Sequence, residues 1–398
     1  MNGRTCDLAI VGGGLSGSLA ALALARKRPD VSVRLIDAGE AIGGNHRWSW
    51  FGSDISPEGA ELLSPIRQNV WESGNDVAFP EHRRTLSTPY LSMSSPDLDT
   101  ALRRSLPDDA LVLRRRATAL DANGVTLEDG TRINARAVVD ARGFAPTQHL
   151  QGGWQVFMGR HIRLAGPHGL ERPTIMDARV EQLGGYRFVY VLPLSAYELF
   201  VEDTYYQDTP TLDCSALSSR IDAYASEHGW DGEIIGFETG VLPVITSGNF
   251  ERYQALNRSH GVARIGAGAG FTHPLTSYTM PFAVQCALAI AADADLPGDQ
   301  LAAKMEARAR SHWDAMGFYR LLGSMLFGAA PPEQRVRVFQ RFYRMPEDLI
   351  ERFYAGQSTM ADKTRLLIGR PPVPIFGALH ALASKRPSLI HTDESKIA

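Results

Sequence analysis

Near its start the chain carries Asp7-Leu-Ala-Ile-Val-Gly-Gly-Gly-Leu-Ser-Gly-Ser-Leu-Ala-Ala21, which leaves its surroundings little freedom in how to fold. Leu8 to Val11 is a short apolar run of the kind that forms a buried strand. It leads into Gly12-x-Gly14-x-x-Gly17, and an Ala/Leu-rich segment to Arg28 then reads as a helix. After Pro29, the residues Val31, Val33, Leu35 and Ile36 predict a second strand that ends at Asp37, twenty residues past Gly17. Gly12 allows the tight turn, Gly14 lets backbone approach a pyrophosphate, and Gly17 lets the helix pack on the strand. The helix start then faces the phosphates with its N–H groups, and Asp37 is placed to accept from a ribose hydroxyl. Strand, glycines, helix, strand and acid in this register predict a dinucleotide site.

At 398 residues the chain is long enough for a large core and two intimately joined domains. A net charge of −3 gives no reason to expect nucleic acid as a partner. Cys6, Cys214 and Cys286 are scattered, with no paired spacing and no His/Cys cluster. That argues against a disulfide framework or a structural zinc and suits a reducing cytoplasm. The first strand begins within a few residues, leaving no room for a signal peptide. The apolar run Ala283 to Ala292 falls short of the roughly 18 residues that span a bilayer.

Further along, Gly43-Gly44-Asn45-His46-Arg47-Trp48 reads as a loop reaching back toward the dinucleotide, with a polar surface loop as the alternative. Pro57 to Ser95 is mixed and punctuated by prolines, so no elements are assigned there. A helix over Pro96–Leu106 opens at Asp97, and strands follow at Ala117–Leu120 and Val125–Glu128. Ala137-Val-Val-Asp140-Ala-Arg-Gly143 reads as a buried strand ending in a glycine turn, placed to rejoin the sheet beside the first strand. Strand character then runs from Trp154 to about Val244, with a hairpin of Tyr186–Leu192 and Glu198–Thr204 joined by a turn at Pro193–Tyr197. Leu212 to Gly229 looks helical. A second glycine-rich loop holds Gly266, Gly268, Gly270, His273 and Pro274, and a helix follows from about Pro281 through Ala291. From Gly298 the chain reads mainly helical, with breaks at Pro331-Pro332, Pro346 and Pro371-Pro372 and a frayed tail at 384–398. The segment Arg335–Arg344 interleaves basic and aromatic residues, which suits either a membrane surface or a solvated face over a local core.

These stretches together resemble one family, the bacterial flavin-dependent lycopene cyclases. The resemblance lies in the glycine fingerprint with Asp37, Gly43 to Trp48, Ile175-Met-Asp177-Ala, Gly185 through Pro193-Leu, Val201-Glu-Asp-Thr-Tyr-Tyr206 and Gly240-Val-Leu-Pro243. It continues in Gly266-Ala-x-Ala-Gly270-x-x-His-Pro274 and in Leu349 to Gly356 through Pro371–Pro374. Ser277 stands where the family usually has Gly, and Ala267 stands where related flavin hydroxylases carry Asp.

The resemblance implies an α/β fold: a Rossmann-type two-dinucleotide-fold FAD-binding domain with an inserted β-rich substrate domain and a helical C-terminal region. The expected units are 1–150 with 255–297, then 151–254, then 298–398. FAD, reduced by NAD(P)H, would meet Gly12, Gly14, Gly17, Asp37, Gly44, Asn45, His46, Asp140, Gly143, Gly266, Gly268, Gly270, His273 and Pro274. No metal is expected. The implied reaction is redox-neutral: lycopene is cyclised at one or both ends to β-ionone rings, giving γ-carotene and then β-carotene. Lycopene and other acyclic carotenoids come from a bilayer. The resemblance therefore implies a cytoplasmic protein peripherally associated with the membrane, in contact with other carotenoid-pathway enzymes.

An alkene is a poor base, so cyclisation needs a strong, neutral acid in a cavity that tolerates a carbocation. Burial in an apolar pocket raises a carboxyl pKa toward that condition. Glu202 and Asp203 are the candidates. Strand alternation puts Phe200, Glu202 and Thr204 on one face and Leu199, Val201 and Asp203 on the other. Glu202 is the expected acid and Asp203 an orienting or structural partner. Tyr186, Phe188 and Tyr190 share a face of the neighbouring strand, for cation stabilisation or for packing. A flavin monooxygenase or polyprenyl reductase, which would consume one NAD(P)H per product, is the alternative enzyme. A non-catalytic pigment-binding protein is the alternative of another class.

Overall fold

A computed structural model describes residues 4–368 and 386–390. The first strand, Arg4–Val11, lies between Val33–Ile36 and Arg132–Asp140 and runs parallel to both. Leu8 pairs with Val33 on one side and with Ala137 on the other. The segment ending at Asp140 thus rejoins the sheet beside the first strand, and Val262–Arg264 adds parallel to it on the far side. A strand covered on both faces carries no alternation, which is why Leu8, Ala9 and Ile10 are all fully buried. The helix Leu15–Lys27 is buried continuously from Leu15 to Leu24, as a helix wedged between sheet and neighbouring helices must be. It packs in one core with the helix Met280–Ala292, whose first turn holds Pro281.

The second sheet is built on two long antiparallel strands, Thr147–Leu164 and Gly232–Gly248, and on the hairpin Tyr186–Ser195 with Glu198–Gln207. The hairpin does not turn at Pro193. The strand runs on to Ser195, with Pro193 paired to Leu199. Proline is tolerated because the neighbouring strand Thr174–Asp177 reaches only as far as Val191, so no partner on that side lacks a donor.

The unassigned stretch 57–95 is ordered. It holds the helix Pro57–Leu63 and four short strands, of which Asn69–Trp71 and Tyr90–Ser94 join Arg47–Phe51 in a small third sheet. The other two, Asn75–Phe79 and His82–Leu86, extend the second sheet at its edge, although they lie within the first 150 residues. The prolines here are punctuation: Pro57 opens the helix, while Pro80 and Pro89 sit between strands of three to five residues, too short to show a period.

C-terminal helices cover both units. Gly298–Ala315 packs through Leu301, Met305 and Ala309 on the nucleotide core, whereas Tyr319, Phe327, Phe339, Tyr343 and Phe353 join the core of the second sheet. The basic–aromatic segment 335–344 packs on that core, as the second of its two sequence readings expects. Phe339 stacks on Tyr186 with ring centroids 4.0 Å apart, and Arg335, 1% exposed, donates to the Tyr206 carbonyl. Its aromatic side has a protein surface to cover, so only Arg337 and Arg344 face outward. Of the expected tail, Ser388–Leu389 pairs with the long strand at Gln151 and Thr147, which corrects the expectation of fraying for those residues. The break at Pro371-Pro372 and the motif end at Pro374 lie outside the described residues. Among the described residues no helix is long and apolar enough to cross a membrane.

Candidate active site

The first glycine turn is sterically closed to side chains. Gly12 has φ +106°, and a Cβ on Gly17 would lie 2.0 Å from the Gly12 carbonyl oxygen. Gly14 is different, because a Cβ there would meet nothing within 4 Å. It caps the helix Leu15–Lys27 with no side-chain bond and no acid in the first turn, so the leading N–H groups are left for an outside anion. The Asp37 carboxylate accepts from the Gly13 N–H at 2.6 Å and the Gly39 N–H at 2.7 Å. These bonds fix it beside the glycine turn with lone pairs to spare.

The second glycine loop abuts the first. A Cβ on Gly266 would lie 2.8 Å from Ser16 Oγ, and one on Gly268 2.4 Å from the Arg142 carbonyl oxygen. Asp140 clamps the turn between them: Arg142 Nε donates to its carboxylate at 2.8 Å, and its carbonyl accepts from Ile265 N–H. Gly143 faces open space in that turn, and Gly270 closes the loop at φ +91°. Gly12, Gly14, Gly17, Asp37, Asp140, Gly143, Gly266 and Gly268 therefore converge on one uncapped, acid-free helix start, which fits a dinucleotide.

Other expected cofactor residues behave differently. Gly43 N–H donates to the Gly13 carbonyl at 2.7 Å, so the loop does reach back, with Gly44 exposed at its bend. Asn45 and His46 point to the second sheet, where Asn45 Nδ2 donates to the Phe237 carbonyl and His46 Nδ1 lies 3.2 Å from Glu238. His273 is fully buried with its ring against Tyr319 and Phe353, at centroid distances of 4.5 and 5.3 Å. Burial lowers its pKa to about 3, so the ring is neutral and accepts from Thr276 N–H. Its imidazole packs within the C-terminal aromatic cluster. Pro274 ties that loop to the second sheet by accepting from Ile245 N–H. Ser277 takes the glycine conformation at φ +56°, and its hydroxyl donates to the Pro243 carbonyl at 2.8 Å.

Between the loop at His46–Phe51, residues Thr276–Met280 and one face of the second sheet lies a cavity of about 240 Å³. Phe157, Phe188, Tyr190, Phe200, Tyr206 and Tyr278 supply most of its aromatic wall. Glu202 lines it and is partly exposed. Among the described residues its one polar side-chain partner is Thr204, whose hydroxyl donates to Oε1 at 2.7 Å. Burial, and then the nearby Glu238 carboxyl, push the Glu202 pKa up, with Thr204 opposing. Asp203 points through the sheet to the other side. There Arg187 Nε donates to it at 2.8 Å and Tyr205 Oη at 3.1 Å. Burial raises its pKa, and Arg187 and Tyr205 work against that rise. It holds the strand from behind and does not line the cavity.

Glu238 is one of two acids that sequence reasoning missed. It is 5% exposed, lines the same cavity, and accepts from Arg47 N–H at 2.9 Å. Burial raises its pKa, against the pull of His46 and Arg47. The signal was present, since period two places Glu238 on one face with Gly240 and Leu242. Asp54 was missed as well. Burial lifts its pKa to about 7, and it accepts from the Tyr278 hydroxyl at 2.6 Å.

A family model described as "Lycopene cyclase protein" matches residues 7–380. The chain belongs to the lycopene cyclase family. It is 41% identical over 382 residues to a lycopene beta-cyclase of Pseudescherichia vulneris, covering 96% of this chain and 98% of that one. The corresponding enzyme of Pantoea ananas is 40% identical over 377 residues, with 94% and 97% covered. Solved structures share the fold at low identity. A geranylgeranyl bacteriochlorophyll reductase-like protein from Thermoplasma acidophilum matches with a TM-score of 0.57 at 13% identity, over 96% of both chains. A flavin-dependent halogenase from Xanthomonas campestris matches with a TM-score of 0.57 at 12% identity, over 97% of both. The family thus builds its enzyme on the α/β frame of flavin-dependent proteins.

Proposed function

We propose that this chain cyclises the acyclic ends of lycopene to β-ionone rings, giving γ-carotene and then β-carotene, with no net redox change and with Glu202 as the acid. The observation that carries this reading is a largely buried carboxyl on an aromatic wall, with no cationic side-chain partner among the described residues. A neutral carboxylic acid is what such a site favours, and a neutral acid is what protonates an alkene.

In the reaction the Glu202 O–H bond breaks as a C–H bond forms at the terminal alkene, leaving a tertiary cation. The next double bond supplies the electron pair that closes the ring. Loss of a neighbouring ring proton then makes the ring double bond. Phe188, Tyr190 and Phe200 turn aromatic surface to the cavity, where a cation is stabilised by ring faces. FAD would be held by Gly12, Gly14, Gly17, Asp37, Asp140, Gly143, Gly266, Gly268 and Gly270, with NAD(P)H as reductant. Reduced FAD, when bound, would supply negative charge that favours a developing cation.

The apolar substrate reaches the protein from a bilayer. Phe237, 61% exposed and tied through its carbonyl to Asn45 at the outer edge of the cavity loop, supports a membrane contact there. Co-sedimentation with anionic liposomes, compared between wild type and Phe237→Ser, tests that contact. The test of the reaction is anaerobic turnover of lycopene with pre-reduced FAD in heavy water. Rings carrying deuterium, without stoichiometric loss of reductant, are expected. Consumption of one reductant per product would overturn the reading in favour of a reductase or hydroxylase.

A further inference from the structure

The long strand Thr147–Leu164 has Glu202 paired to Gly159 on one side and Glu238 paired to the same Gly159 on the other. Residues paired across a sheet share a face, so both glutamates project into one cavity from the two flanking strands. Their Cα atoms are two strand spacings, about 10 Å, apart. The residue between them has no side chain, and the Phe200 ring fills the place where one would stand. Glu238 is dry, with its side chain 6% exposed, yet its Oε1 lies 3.2 Å from an imidazole that is 44% exposed. One end of this chain of groups is wet, and the other opens beside the acid.

Cyclisation takes up one proton and releases one in each ring closure, so a buried acid has to be reset after every turnover. We propose that Glu238 and His46 form the path by which Glu202 exchanges protons with solvent, an inference that rests on Glu202 being the acid. After Glu202 has given its proton to the substrate, Glu238 passes one to it through a water in the shared cavity. Glu238 recovers a proton from His46 Nδ1–H, and His46 takes one from solvent at Nε2. The proton lost from the ring leaves first, through the cavity water to the Glu238 carboxylate, on to His46 Nδ1 and from His46 Nε2–H to solvent; the reload of Glu202 then runs through the same groups inward, so each cycle closes without net charge.

The test is rapid-mixing turnover of lycopene by the FAD-loaded, pre-reduced enzyme, resolving the first ring closure from later ones. In Glu238→Gln the ratio of first to later turnover rates rises by about tenfold or more, the scale of a lost proton-transfer group. His46→Ala, on the exposed side of the path, gives the same pattern, and added imidazole restores the later turnovers. Later turnovers as fast as wild type in both variants would overturn the path. Equal slowing of first and later turnovers without rescue would also overturn it, since a purely structural role predicts that result. A wild type that forms no rings under these conditions overturns the proposed function instead, so the two failures are distinguishable.

Discussion

The second sheet buries acids on both faces, in opposite company. Toward the helix Cys214–Glu227, Asp203 meets the Arg187 guanidinium, and Asp177 meets Arg179 and the Tyr224 hydroxyl. Burial raises the Asp177 pKa, but its partners outweigh that and hold it below the usual carboxylate value. Toward the cavity, Glu202 meets aromatic rings and a threonine, while Glu238 meets an imidazole, the Arg47 N–H and, at longer range, the Arg47 guanidinium. Glu202 and Asp203 are neighbours in sequence on opposite faces of one strand, and only Asp203 has an arginine bonded to it. What differs is the counter-charge. A buried carboxyl paired with arginine is a strut, whereas the same group without a cation gives up its charge and keeps its proton.

The sharpest way to break this contrast is Glu202→Gln. It is expected to lower cyclisation by roughly 10²–10⁴-fold with the fold intact, measured as ring product per enzyme under reducing conditions. On the other face, Arg187→Met leaves Asp203 buried without its cation. The expected cost is about 3–5 kcal/mol of stability in denaturant unfolding, and a loss below about 1 kcal/mol would mean that the pair is no strut. Gly159→Ala puts a Cβ 2.2 Å from the Phe200 ring, between the two glutamates. Moving that ring is expected to cost about 1–3 kcal/mol, read as a lowered Tm.

The pH dependence has a definite sign. Because burial raises the Glu202 pKa above its ordinary 4.5, the folded protein keeps a proton that the unfolded chain releases. Wild-type stability therefore declines as pH rises from that ordinary value through the native one, and Glu202→Gln removes this part of the decline. The cyclisation rate falls over the same upper range, as the acid loses its proton. The smallest effect is expected at Ser277→Gly. Relief of a left-handed conformation is offset by loss of the bond to Pro243, for a net change within about 1 kcal/mol.

The nucleotide half was legible because its constraints are local: glycines that exclude a Cβ, an apolar run too uniform for a surface strand, and an acid at the next strand end. Alternation along 198–204 by itself puts Glu202 and Asp203 on opposite faces. Longer-range features did not show. The four strands between Asn69 and Ser94 are too brief for periodicity. Nothing local to Arg335–Phe342 announces that Tyr186 lies beneath it. His273 carries a family motif, yet its environment of Tyr319 and Phe353 comes from helices far along the chain. Glu238 escaped because its meaning depends on a partner, Glu202, two strands away.

Glu238, Gly159 and Glu202 stand on one rung of main-chain hydrogen bonds, so the interval between the two acids is set by peptide geometry and not by the packing of the wall. Ile175 comes from a different strand of the sheet, and Leu242 stands further along its own strand, yet both face the same space. The chain thus separates chassis from upholstery. The wall can be recut to seat a bulkier, shorter or already ringed polyene end while the reacting groups keep their spacing. Selectivity and reactivity are then adjustable by different substitutions.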